Sequence, residues 1–219
     1  MKTIFFLLLL FFISVSSFRL RFYKQDYDSY VLSVLWPNGY CKINDCKGED
    51  TKLEKNIMTI RGFWPSLKNG EYAKYCNPQE TVIDLGTTLF LRMRNLWPSF
   101  TGNNEAFWDN EYNTYGACMV EEYKWKGYDD YFNFVLDLFE EKYKYLMIKI
   151  FGNTERSFTV SFEDMEKFIQ EIIPNASFQM KCNLGFIYEL DFHLKKGDFS
   201  PAVDYRYPTS CFGGILIFK

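Results

Sequence analysis

Thr59-Ile60-Arg61-Gly62-Phe63-Trp64-Pro65 decides the fold, together with a second stretch downstream, Phe107-Trp108-Asp109-Asn110-Glu111-Tyr112-Asn113-Thr114-Tyr115-Gly116-Ala117-Cys118. The first opens as a strand over residues 57–61. Side chains alternate across a strand, so Ile60 faces one way and Thr59 and Arg61 the other. The second has helical spacing over residues 107–115. Asn110, Glu111, Thr114 and Tyr115 stand at i, i+1, i+4 and i+5 and so share one side of the helix. Such a face presents several polar groups to one phosphate. Any packed helix face has the same spacing, however, so spacing alone names no chemistry.

The residues themselves carry more. Taken together, the two stretches resemble the active-site segments of the ribonuclease T2 family, secreted acid endoribonucleases. In that family the first segment reads Ile-His-Gly-Leu-Trp-Pro and the second Phe-Trp-x-His-Glu-Trp-x-Lys-His-Gly-Thr-Cys. Here the frame of Gly62, Trp64-Pro65, Phe107-Trp108, Gly116 and Cys118 is present. Arg61, Asn110 and Tyr115 stand where the resemblance expects histidine, and Thr114 where it expects lysine. Glu111 alone is retained among the catalytic positions. The resemblance runs from the first core strand to the last. It implies an α+β fold, a central antiparallel sheet flanked by helices and stapled by disulfides.

The family's reaction moves the RNA 2′-hydroxyl onto the adjacent phosphate, leaving a 2′,3′-cyclic phosphate and a free 5′-hydroxyl. One group takes a proton and another gives one. Histidine suits both tasks because its pKa lies near working pH. A guanidinium holds a phosphate but does not shuttle protons. Asn110 does not titrate, a phenol such as Tyr115 ordinarily titrates near 10, and Thr114 brings no charge. Glu111 is a possible base with no acid partner in the motif. The expectation is a ribonuclease T2-like protein that keeps the fold, has lost the catalysis, and binds RNA, a nucleotide or a protein partner through the old cleft or its surface. A weak endoribonuclease using Glu111, Tyr115 and Arg61 is one alternative. A structural or storage-type secreted protein is the other. At the altered site, Arg61 either pairs with Glu111 and fills the cleft or still holds a phosphate. Trp64, Phe63 and Trp108 are candidate lining residues whose plain reading is core.

Composition bounds these readings. Residues 1–17 begin Met1-Lys2, run apolar from Ile4 to Ile13 and end in small residues, the pattern of a secretory signal peptide. The run falls short of the roughly 20 residues that span a membrane, so no stable span is expected after cleavage. Residues 18–219 then form a single domain, destined for secretion or for a vacuolar or lysosomal lumen. The net charge is −3 and the pI about 5.4, which disfavours a long nucleic-acid footprint. One histidine and six cysteines leave no metal-ligand set, and no glycine-rich phosphate loop occurs, so neither metal nor cofactor is expected.

Six cysteines behind a signal peptide read as three disulfides, with fifteen possible pairings. The resemblance selects Cys41–Cys46, Cys76–Cys118 and Cys182–Cys211. A further bridge found in many plant-type relatives is missing at both ends, since Lys47 follows Cys46 and no cysteine follows Trp97-Pro98.

Residues 30–36 read as a strand ended by Pro37-Asn38-Gly39, followed by a polar, irregular stretch to Glu54. In the first strand Leu35 stands where the family has a glutamine near its base pocket. Residues 87–97 read as a helix closed by Pro98. One or two amphipathic helices are expected over 128–150, and a helix capped by Ser161 and stopped by Pro174. Asn175-Ala176-Ser177 is a glycosylation sequon. Residues 178–195 alternate as a hairpin, with Glu189, Asp191, His193 and Lys195 on its polar face. That face, with the chain's single histidine, is expected to be solvated. A last strand follows Cys211.

Overall fold

A computed structural model describes residues 26–47, 57–76, 85–152, 156–202, 209–211 and 213–217. The expected signal peptide lies outside them, as do Asn77-Pro78, most of the polar stretch to Glu54, and Phe218.

The first motif strand is β2 (Thr59–Ser66), antiparallel to β1 (Ser29–Leu35). Its pairing holds a bulge: Val34 faces Ile60 and Ser33 faces Gly62, so Arg61 is the extra residue. A bulge re-aims a side chain, a device common near sites. β1 then pairs with β5 (Phe186–Lys195), which pairs with β4 (Ser177–Asn183), both antiparallel. The sheet order is β2-β1-β5-β6-β3, with β4 also on β5. β6 (Gly214–Ile217) touches β5 through one parallel pair and β3 (Phe158–Ser161) through an antiparallel ladder.

Seven α-helices are described. α1 (Pro37–Ile43) follows β1 directly. Pro37-Asn38-Gly39 ends the strand by opening a helix: proline sits at the first helical position, where its missing N–H costs nothing. Gly39 is required, because a Cβ there would lie 1.8 Å from the Ile187 carbonyl oxygen. α2 (Thr87–Leu96), α5 (Tyr128–Lys142), α6 (Leu146–Phe151) and α7 (Phe162–Ile172) fall where periodicity placed helices. Ser161 caps α7, its hydroxyl accepting from the Asp164 N–H at 3.0 Å. α3 (Asn104–Glu111) begins earlier than expected, because Asn103 caps it. It does not stop at Tyr115. A π-helical turn over Tyr112–Gly116 carries it into α4 (Ala117–Tyr123).

The helices cover one sheet face, where Tyr30, Leu32, Val34, Ile60, Phe63, Leu190 and Phe192 are buried with α5 residues Tyr131, Phe132, Val135 and Phe139. All three disulfides pair as the resemblance implied, with Cα separations of 5.3, 4.9 and 4.9 Å. Each is worth about 2–5 kcal/mol.

The opposite face of β5 corrects the solvated reading. Glu189, Asp191 and His193 are buried, His193 to 3% exposure, and only Lys195 of the four is exposed. Lys181, across from Glu189 on β4, offsets the two acids. Its ammonium bonds Glu189 and lies 2.7 Å from Asp191 Oδ2. Burial, with Lys181 nearby, pushes the His193 imidazole down to about 4. Alternation told the two faces apart but not what covers them.

Candidate active site

Hydrogen bonds from the helices fix the backbone of β2. The Trp108 indole N–H donates to the Trp97 carbonyl at 2.6 Å, and the Trp97 indole N–H to the Arg61 carbonyl at 3.4 Å. Tyr131 of α5 donates its hydroxyl to the Phe63 carbonyl at 3.1 Å. Trp108 is thus a buried strut, and Phe63 a core residue stacked on Tyr30 with centroids 5.2 Å apart. Neither presents a surface to a ligand.

Trp64 turns the other way. A Cβ on Gly62 would lie 2.3–2.4 Å from the Trp64 indole, so glycine is what lets the ring fold back over the strand. There its N–H donates to Glu111 Oε2 at 2.9 Å. The other oxygen, Oε1, faces Arg61 Nη1 at 3.8 Å. The pair therefore exists, but it is longer than the 2.7–2.9 Å of a charge-assisted hydrogen bond. Glu111 is 3% exposed, whereas the Arg61 side chain is 39% exposed and lies over the Phe107 ring, 5.6 Å from its centroid.

Burial pushes the Glu111 carboxyl up to about 7, against the pull of the Trp64 N–H and of Arg61. Desolvation wins because the counter-charge is distant and half in solvent. Near neutrality the site thus holds either a neutral acid beside a cation or an ion pair.

The π turn places the remaining motif residues. Ala117 N–H reaches the Tyr112 carbonyl, five residues back. Such turns lie within α-helices mostly as single insertions and often mark functional sites. Thr114 is buried, its hydroxyl reaching Asn110 Oδ1 at 3.4 Å and its carbonyl accepting from the Tyr75 N–H at 2.8 Å. Asn110 is exposed at the outer end. Tyr115 is half-buried, its ring 5.7 Å from Trp64 and edge-on to Tyr72 at 6.2 Å. Burial and then Glu111 push its phenol up, so it stays neutral. The fold therefore gathers Arg61, Trp64, Glu111 and Tyr115, leaves Asn110 at the rim, and turns Phe63 and Trp108 inward. His193 shares a sheet face with Trp64 through the row Trp64–Val31–His193, two strands or about 10 Å away. It is buried and neutral there.

Sequence reasoning missed Phe107, under the Arg61 guanidinium, and Tyr72, packed 4.9 Å from Trp64. The signal for Tyr72 was Cys76, whose bridge to Cys118 draws that segment beside the second motif.

A family model described as "Ribonuclease T2 family" matches residues 27–205. The chain belongs to the ribonuclease T2 family. Ribonuclease Rh of Rhizopus niveus is 26% identical over 88% of this chain and 83% of its own length. Ribonuclease DdI of Dictyostelium discoideum is 30% identical over 43% of this chain, and the match spans only 41% of that relative. A "Ribonuclease-like storage protein" of Panax ginseng is 31% identical over 43% of this chain and 41% of its own length. Among solved structures, RNase NT in complex with 5′-AMP superposes with a TM-score of 0.72 at 24% identity, covering 89% of this chain and 98% of that one. An RNase-related protein from Calystegia sepium gives 0.69 at 15% identity, covering 87% and 97%. These structural likenesses concern the fold. Within this ribonuclease T2 domain, no group of metal-ligating side chains and no helix long and apolar enough to cross a membrane occurs among the described residues.

Proposed function

We propose that this chain is a ribonuclease T2-family protein that no longer transphosphorylates RNA and keeps its cleft as a binding site for a phosphodiester or nucleotide. The observation that carries this reading is the Arg61 guanidinium. It is accessible, backed by the Phe107 ring, and held at the position the motif resemblance gives to histidine. A guanidinium can fork onto phosphate oxygens but cannot relay a proton. Tyr115, whose phenol is pushed up rather than down, does not supply the missing base. Similar folds have been solved with 5′-AMP and 5′-GMP, which fits a nucleotide-sized ligand. Arg61→Gln should weaken binding of an oligoribonucleotide about 10- to 100-fold, the loss of a charged hydrogen-bonding partner. Unchanged affinity in that variant would refute the reading.

A weak endoribonuclease is favoured by one observation, the Glu111 carboxyl near 7, which can exchange a proton in mild acid. RNA cleavage abolished by Glu111→Gln would select it. A storage or structural role without a ligand calls for a filled cleft, and the accessible Arg61 argues against one.

We infer that the protein is secreted, a reading supported by the signal-like residues 1–17 and by three disulfides, which persist in oxidising compartments. Asn175 is exposed in the turn between α7 and β4, where it adopts a left-handed φ of 61°. Secreted from a eukaryotic host, the protein should lose mass on treatment with an N-glycosidase, and Asn175→Gln should not. Equal masses before and after treatment would remove the glycan.

A further inference from the structure

The contact between Arg61 and Glu111 joins an exposed cation to a buried acid. The acid is already held by the Trp64 N–H on its far oxygen, so its geometry does not depend on Arg61. Arg61 in turn has Phe107 beneath it and solvent above. A phosphodiester arriving from solvent competes for the guanidinium with the Glu111 carboxylate. If that carboxylate is ionised, an incoming anion meets a second negative charge a few ångströms away, in a place little screened by water. If it is protonated, the repulsion is gone and the guanidinium is fully available.

We propose that the Arg61–Glu111 pair makes the cleft a proton-coupled anion site: a phosphodiester binds Arg61 when Glu111 is in its carboxylic acid form, so ligand and proton are taken up together. This rests on the reading that the cleft holds phosphates and adds the regulation of that site. The other charged and titratable groups around the pair do not supply the proton. On the π turn Tyr115, and on α5 Tyr131, are phenols pushed upward by burial. Glu189 of β5, felt by Arg61 from the other side, is also pushed up by burial and by Asp191, but it is bonded to Lys181. His193, at about 4, is neutral throughout the range concerned. The Glu111 carboxyl, at about 7, places the switch between a mildly acidic lumen and a neutral medium.

The test uses a 2′-O-methyl hexaribonucleotide without terminal phosphates. It cannot be cleaved by 2′-hydroxyl attack, and its diesters keep one charge each across the range. If only the protonated form binds, the apparent Kd should rise about 30-fold between pH 5.5 and 8.5. Calorimetry at pH 8 in buffers of different ionisation enthalpy should show uptake of about 0.9 proton per ligand, falling toward zero at pH 5.5. Glu111→Gln, which keeps an acceptor for Trp64, should bind with its acid-like affinity at every pH and take up no proton. Glu189→Gln should keep the native slope. Arg61-dependent binding without proton uptake, or a slope abolished by Glu189→Gln instead, would overturn the coupling and leave phosphate binding intact. No binding at any pH, or binding indifferent to Arg61→Gln, would remove the parent reading as well. Should Glu111→Gln fail to fold, the proton count of the native protein still decides.

Discussion

Replacing Arg61→His, Asn110→His, Thr114→Lys and Tyr115→His together should raise RNA cleavage at pH 5 by about 10³-fold or more over the native protein. Each positioned proton transfer is worth about 10²–10⁴ in rate. The four changes restore two transfers and one cation to a site whose frame is in place. The frame is what makes the gain large. The Trp97 and Tyr131 hydrogen bonds hold the Arg61 and Phe63 carbonyls of β2, and Glu111 is fixed by Trp64. Asn110 and Arg61 are accessible, so histidines there meet substrate without repacking. Thr114 is the difficult position. It is buried, and a lysine there must reach solvent along the π turn. The triple variant without it separates folding cost from chemistry. A silent native protein and an active variant would show that proton chemistry alone was lost. Native cleavage within a few-fold of the variant would end the pseudoenzyme reading. A folded but silent variant would show that substrate positioning was lost too, with Leu35, in place of the family's glutamine, the first residue to revert.

The frame was legible because its residues are needed for geometry. Gly62 has no room for a Cβ beside Trp64, and Gly116 none beside Tyr131 and Tyr112. Cys118 is tied to Cys76. Such constraints do not depend on the catalytic side chains, so they identify the fold whatever stands at positions 61, 110 and 115. Other features left no mark. The π turn is an inserted hydrogen-bonding offset, and Tyr112-Asn113-Thr114-Tyr115 reads as ordinary helix. The bulge at Arg61 arises from register with β1, which no single strand encodes. The charged face of β5 read as solvated because alternation reports sidedness, while burial depends on elements distant in sequence. Lys181 is eight residues from Glu189 and on a different strand, so its pairing appears only in register.

That pairing sets the second large effect. Lys181→Met should destabilise the protein by about 3–5 kcal/mol at pH 8, the cost of leaving buried acids without their counter-charge. Against a total stability of about 5–15 kcal/mol for such a domain, that is a large share. Glu189 is buried and Asp191 is 2% exposed, with Asp191 Oδ1 and the facing Ser33 hydroxyl lacking hydrogen-bond partners among the described residues. Arg61 also acts on Glu189, but more weakly than Lys181 does, and its side chain lies against Glu111. The pH dependence has a definite sign. Burial and Asp191 already push the Glu189 carboxyl up, and the variant removes the Lys181 charge that opposes them, so the folded state holds Glu189 in its acid form to a higher pH than the unfolded chain does. The folded state thus binds more protons, and its stability falls as pH rises above the ordinary carboxylate range. The deficit against native should therefore be smallest near pH 5 and largest at pH 8. Adding Glu189→Gln and Asp191→Asn should recover much of it, since neutral amides need no counter-charge. Urea unfolding of the three proteins at both pH values measures this. A deficit below about 1 kcal/mol that does not change with pH would mean water reaches the face, as for an exposed ion pair, and the buried account of Glu189, Asp191 and His193 would fail.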